Sequence, residues 1–220
     1  MKHKKSLCVI FLLIITLLAA CTSDTSMGQS EKKQMVEHVK TVEENEYDLI
    51  YFNKSYEQYH NDINEIVSED YMASIGKEIV FGYDNATYTR DDMVSMPQEE
   101  YDKHKEHMLN IIRGLGMDKL ITTIRISDVY EGNQSNQVNI YTFENKELND
   151  QSFTAMTKKY SLEKRSGTWL ITEVEYDKYT YGSEQTAEEK EKGIKELLYQ
   201  THDSKVVEYP TVIVLSGVGQ

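Results

Sequence analysis

The chain has 220 residues, a formal net charge of −13, 39% hydrophobic residues and only two prolines. That balance excludes nucleic acid and anionic lipid headgroups as ligands of the folded part, because both need clustered Lys and Arg. Two cysteines, Cys8 and Cys21, are too few for a disulfide framework or a thiolate metal site.

Met1-Lys2-His3-Lys4-Lys5 is basic, and Leu7 to Leu18 is apolar except for Thr16. This is the order of a secretory signal, and the apolar run is shorter than the roughly 20 residues that span a bilayer. Leu18-Ala19-Ala20-Cys21 closes it and resembles the bacterial lipobox. The resemblance implies residues 1–20 as a removed signal peptide, a diacylglyceryl thioether on Cys21, and a mature chain held at the outer face of the cell membrane. Loss of Lys2, Lys4 and Lys5 takes the charge from −13 to −16. Cys21 is then the sole remaining thiol, so no internal disulfide and no cysteine nucleophile is available. Residues 21–30 (CTSDTSMGQS) are small and polar and read as a flexible tether, leaving residues 31–220 for a single α+β domain.

From Met35, apolar or aromatic residues recur every three or four positions through Val39, Val42, Leu49, Phe52, Tyr56, Tyr59, Ile63 and Ile66, with Glu46 the only polar occupant of the stripe. The pattern predicts one long amphipathic helix, or two nearly in line, suited to packing on a sheet. Ser68 is an N-cap for a short helix ending near Gly76. Ile79 to Tyr83 reads as a strand and Asp84-Asn85 as a turn. Pro97 opens another helix with Tyr101, His104 or Lys105, Met108, Ile111 or Ile112 and Leu115 on its stripe, stopped by Gly114 and Gly116.

After Asp118 the period changes to two: Leu120, Thr122, Ile124, Ile126 and Tyr130 share a face. Glu131-Gly132-Asn133 forms a turn. Strands follow at Val138 to Phe143, Phe153 to Glu163 and Thr168 to Tyr176, with Arg165-Ser166-Gly167 as a tight hairpin, giving a four-strand antiparallel meander. Gln185 to Tyr199 suggests a surface helix. Val206 to Leu215 is a further strand, an exposed edge that pairs with a partner, or an unordered tail.

Helices followed by a sheet ending in Tyr160-Ser161-Leu162-Glu163-Lys164-Arg165-Ser166-Gly167-Thr168-Trp169-Leu170-Ile171 resemble the nuclear-transport-factor-like (ketosteroid-isomerase-like) cone fold over roughly Tyr47 to Tyr179. A cystatin-like arrangement is the nearest competitor. The resemblance implies N-terminal helices in the concave side of a curved antiparallel sheet of four or more strands. It leaves function open, since such folds serve isomerases, dehydratases and assembly domains.

Several side chains are candidates for chemistry. Asp128 has the parity of Ile124, Ile126 and Tyr130, so an in-facing carboxylate beside a phenol would have the raised pKa of a general base. His104 and His107, three apart with Glu100 and Glu106 nearby, are candidate metal ligands on one helix face, set against a solvated-face reading. Tyr176, Tyr179 and Tyr181 are candidate surface aromatics for stacking on a wall polymer. His38, His60 and His202 are isolated. No phosphate loop, nucleophile elbow or HExxH motif occurs, and no cofactor is expected. The favoured expectation is a non-enzymatic module for an envelope protein or wall polymer. A small-molecule enzyme using Asp128 and an immunity or exclusion lipoprotein are the rivals.

Overall fold

The computed structural model describes residues 27–83, 86–149, 151–182, 185–202 and 206–217; Cys21 and the Asp84-Asn85 turn lie outside them. Lys32–Gln220 is one compact unit of α+β class. Its helices are α1 (Gln29–Ile50), α2 (Tyr56–Ile63), α3 (Glu69–Gly76), α4 (Arg90–Ser95), α5 (Gln98–Gly114) and α6 (Ala187–Thr201). Strands β1 (Ile79–Tyr83) and β2 (Ala86–Thr89) form a separate hairpin. The main sheet holds β3 (Ile121–Ile126), β4 (Tyr130–Glu131), β5 (Gln137–Leu148), β6 (Gln151–Arg165), β7 (Thr168–Thr180) and β8 (Thr211–Ser216).

The long apolar stripe does not make one helix. The chain breaks at Tyr51–Ser55, where Phe52 takes φ 59 and the backbone N–H groups of Asn53 and Lys54 turn back onto the Asp48 carbonyl at 2.7 and 3.2 Å. Ser55 then starts α2: its hydroxyl accepts from Gln58 N–H while the Gln58 side chain accepts from Ser55 N–H. That reciprocal cap satisfies two orphan donors and makes a new helix start easier than continuation through Asn53-Lys54. A similar pair at Thr89 and Asp92 starts α4, a helix the apolar periodicity does not announce. α1 begins at Gln29, inside the stretch read as tether. α5 stops as expected, with Gly116 at φ 70 in the left-handed region.

In the main sheet the order is β7-β6-β5-β3-β8, with β4 also on β5, and every pairing is antiparallel. The meander of β3, β5, β6 and β7 follows the expected order, but β6 and β7 run longer than the sequence pattern marks. The turn between them is Ser166 at φ 51 and Gly167 at φ 91, the positive backbone angles a two-residue hairpin requires. The C-terminal segment is resolved as β8, which joins the sheet through six regular pairs from Ile121↔Ser216 to Ile126↔Thr211.

Val138 to Thr142 on β5 are buried at every position, so the sheet is covered on both faces. On one face Thr142 donates to Glu43 of α1. The other meets α6 and the segment after it, with Tyr141 packed edge-on against His202 and Thr157 bonded to Thr201. α3 is tied to the sheet by main chain. Ser68 N–H donates to the Ile171 carbonyl at 2.8 Å, and Ile171 N–H donates to Ile66 at 3.0 Å. A bulge at Ser161/Leu162 frees Ile171 for that bridge.

Candidate functional site

Sheet register builds one wall of the site. Thr142, Lys158 and Tyr176 lie directly opposite one another across β5, β6 and β7, and Ile140, Tyr160 and Val174 form the neighbouring row. Period-two alternation aims both rows at α1. The facing wall is Glu43, Glu46 and Ile50 of α1, Tyr71 and Ile75 of α3, and Glu78 with Arg90 at the base of the β1–β2 hairpin. Arg90 N–H donates to the Glu78 carbonyl at 3.1 Å, which sets the two side chains together. Between the walls is a cavity of about 220 Å³.

Two charge clusters, one around Arg90 and one around Lys158, occupy this interface. Arg90 holds Glu46 in a bidentate grip, Nη1 to Oε1 at 2.7 Å and Nη2 to Oε2 at 2.5 Å; the side chains are 6% and 13% exposed. Nη2 also reaches Glu78 at 3.0 Å, and Nη1 donates to the Tyr59 hydroxyl at 2.7 Å. Tyr59 in turn donates to Glu46 at 2.6 Å and lies beneath the guanidinium, 5.2 Å from ring centroid to Cζ. Deeper in, Lys158 Nζ donates to Glu43 Oε2 at 2.5 Å and Thr142 donates to Oε1 at 2.8 Å, with the Tyr160 hydroxyl also bonded to Glu43.

Electrostatics follow from this wiring. Burial pushes the Glu46 carboxyl up, but the charge and hydrogen bonds of Arg90, with help from Lys158 and Tyr59, outweigh it and hold the group below its ordinary value. Burial pulls Lys158 down, but Glu43, Glu144 and Glu46 overcome it and the ammonium stays protonated. Arg90 is raised in the same way by Glu46, against its burial. Burial and the surrounding carboxylates push the Tyr59, Tyr71 and Tyr160 phenols up. Glu78, half exposed at the rim, is the exception among the carboxylates: burial and Glu46 raise it more than Arg90 lowers it. Glu46, Arg90 and Lys158 thus stay charged and the three phenols stay neutral.

Of the residues singled out from sequence, Tyr176 lines this cavity and the others fall elsewhere. Asp128 is exposed, and the parity argument for it fails because β3 ends at Ile126. Ser127 breaks the alternation: its N–H donates to the Tyr141 carbonyl, its hydroxyl accepts from Tyr141 N–H and donates to the Asp128 carbonyl, and the next side chain turns to solvent. His104 is buried against Tyr88, with ring centroids 4.7 Å apart, whereas His107 is exposed. Among the described residues no group of three His, Cys, Asp or Glu could hold a metal. The α5 core is His104, Leu109 and Ile112, and the expected Leu115 is exposed. Tyr181 is buried with Ala155 and Leu197, and Tyr179 packs edge-on against it, bonded to Gln185. Tyr176 alone of the three is exposed, at the cavity rim.

Sequence reasoning did not single out Glu43, Arg90 or Lys158. Two signals pointed there: Glu46, the polar break in an otherwise apolar helix stripe, and Lys158, a charge on the parity of Met156, Tyr160 and Leu162. A larger groove of about 680 Å³ lies among α2, α3, α4 and α5, but exposed side chains such as Glu57, His60, Asp91 and Val94 line half of it.

No family model and no curated protein matches the chain. Among solved structures it is similar to a de novo β-sheet design studied by solution NMR, at 14% identity and a TM-score of 0.27, over 70% of this chain and 96% of that one. A likeness at that level carries no argument about function.

Proposed function

We propose that the chain is a lipoprotein held at the outer face of the cell membrane through Cys21, and that its folded unit is a non-enzymatic binding module for an envelope protein or wall polymer. Among the described residues no helix is long and apolar enough to cross a membrane. The reading of the sheet and its helices as a cone-like, nuclear-transport-factor-like fold belongs to the same proposal; its support is that α1, α3 and the inward rows of β6 and β7 line one cavity.

The observation that carries the binding reading is the state of that cavity's polar groups. Glu46 and Arg90 are bonded to each other and Lys158 to Glu43, and ion pairing outweighs burial to keep Glu46, Arg90 and Lys158 charged near neutrality. General acid–base catalysis needs a group poised near the working pH. The enzyme reading rested on Asp128, and its exposure removes that base from the interior. What the site does offer a partner is a rigid charged floor beneath an apolar and aromatic rim of Ile50 and Tyr176, both exposed. Such a surface recognises shape and contact area.

Photocrosslinking tests this. A benzoylphenylalanine at Tyr176, irradiated in intact cells, is expected to give a discrete adduct with an envelope protein or wall fragment. The same group at exposed Glu173, which does not line the cavity, should give none. Equal labelling from the two positions, or no adduct at Tyr176, overturns the proposal.

A further inference from the structure

The sheet has two edges built on opposite plans. β7 carries Glu173, Glu175, Asp177 and Lys178 and is bulged at Thr172, both of them devices that stop a strand edge from pairing with another chain. β8 has none of these. Thr211-Val212-Ile213-Val214-Leu215-Ser216 is uncharged and proline-free, regular against β3 throughout, and β-branched at four of its six positions. Its inner side chain Ile213 is buried, while Val212 and Val214 are 53% and 63% exposed. Ile121, also exposed, is opposite Ser216 and so lies diagonal to Val214. The result is an apolar strip along an open edge.

We propose that β8 pairs with β8 of a second copy of this chain, antiparallel, joining two six-stranded sheets across a twofold axis at Ile213. Parity restricts the axis to a residue, and setting exposed Val212 against exposed Val214 places it at Ile213. In a continuous sheet, residues directly opposite must share a face, so a twofold axis normal to the sheet has to pass through a residue and not between two. With the axis at Ile213, Val212 of each copy stands opposite Val214 of the other on the exposed face, and Thr211 opposite Leu215 on the inner face. The valines and the Ile121 side chains then cover one another.

Charge favours a second copy in the same place. The whole chain carries −13, so two copies repel over most approaches. The two rows nearest the axis carry no carboxylate on β3 or β5: Val212 leads to Arg125 and Phe143, and Val214 to Thr123 and Asn145, while the outer row through Ile121 reaches Glu147 on β5. A six-residue strand joins less surface than a stable soluble dimer needs, so the pairing is weak and concentration-dependent, and any confinement of the copies strengthens it.

Register-specific crosslinking in cells is the test. Copies carrying Val212→Cys are co-expressed with differently tagged copies carrying Val214→Cys and oxidised briefly. Opposite positions put Cβ atoms about 4.5–5.5 Å apart. A disulfide-linked species bearing both tags should form at least tenfold more than from Val212→Cys copies alone, whose thiols lie on different rows. In sedimentation of the full chain in detergent, Val214→Lys should weaken self-association at least tenfold while the fold, read by circular dichroism, is unchanged. Equal yields from the two cysteine arrangements, an adduct with a different protein, or undiminished association of Val214→Lys overturns the proposal. A chain that is not membrane-anchored would lower the yields of all arrangements together, leaving their ratio to report the pairing.

Discussion

Replacing Glu46 and Arg90 singly and together tests the central wiring of this protein. The guanidinium is 6% exposed and the carboxylate 13%, so each group relies on the other in place of water. In Glu46→Leu, Arg90 keeps the Tyr59 hydroxyl and, as counter-charge, the half-exposed Glu78, and Tyr59 loses the carboxylate it donates to. In Arg90→Met, Glu46 keeps only the Tyr59 hydroxyl. Breaking a buried pair from one side costs about 3–5 kcal/mol, since it strands a charge. For a unit of about 190 residues that lowers Tm by roughly 6–20 °C. The double variant has no charge to strand and similar volume, so it should recover to within about 2 kcal/mol of the parent. Urea unfolding followed by circular dichroism, with the four proteins as a cycle, gives a coupling of about 3 kcal/mol or more. Single variants costing under about 1 kcal/mol, the range of exposed pairs, would refute the reasoning. So would a double variant costing the sum of the two.

The pH dependence should have two parts of opposite sign. Glu46 is held below its ordinary value of 4.5 in the fold, so the unfolded chain takes the proton first; its contribution is full above that value and is lost as pH falls through the folded one. Glu78 is raised above 4.5, so the folded state takes the proton first and stability rises as pH falls through that raised value. Urea midpoints should therefore hold or climb slightly on moderate acidification and then drop below about pH 4.5. Glu78→Gln should remove the climb and Glu46→Gln should shrink the drop, the capping carboxylates Asp92 and Glu189 retaining part of it. At Gly193 of α6 an added methyl would overlap Cζ, Cε1 and the hydroxyl of Tyr179. Gly193→Ala should thus destabilise by about 1–3 kcal/mol despite the better helix propensity, with faster amide exchange in α6. Cys21→Ser should abolish palmitate labelling and release the chain from the membrane fraction; retention with the label would refute the lipobox reading.

The elements were largely legible because local signals specify them. Ser68 caps its helix, Gly116 ends α5, and Ser166-Gly167 closes the β6–β7 hairpin, each through a backbone requirement written in one to four residues. Where two local signals competed, periodicity left one helix or two open: the stripe from Met35 to Ile66 continues across Asn53-Lys54-Ser55, and the Ser55/Gln58 cap decides for two. Asp128 failed for the same kind of reason, since parity holds only as long as the strand does and Ser127 ends it.

By itself the sequence determined the α+β class, the order of the meander, the Ser68 cap and the glycine stop of α5, because periodicity, turn geometry and capping act over a few neighbouring residues. Only the tertiary structure decided that Glu46, the apparent flaw in a helix stripe, is the partner of Arg90, and that Lys158 and Thr142 meet Glu43. Those partners stand 44, 115 and 99 residues apart along the chain. A buried charge can be read from sequence as an anomaly, but which opposite charge compensates it depends on strand register and on the loops that bring the helices over the sheet.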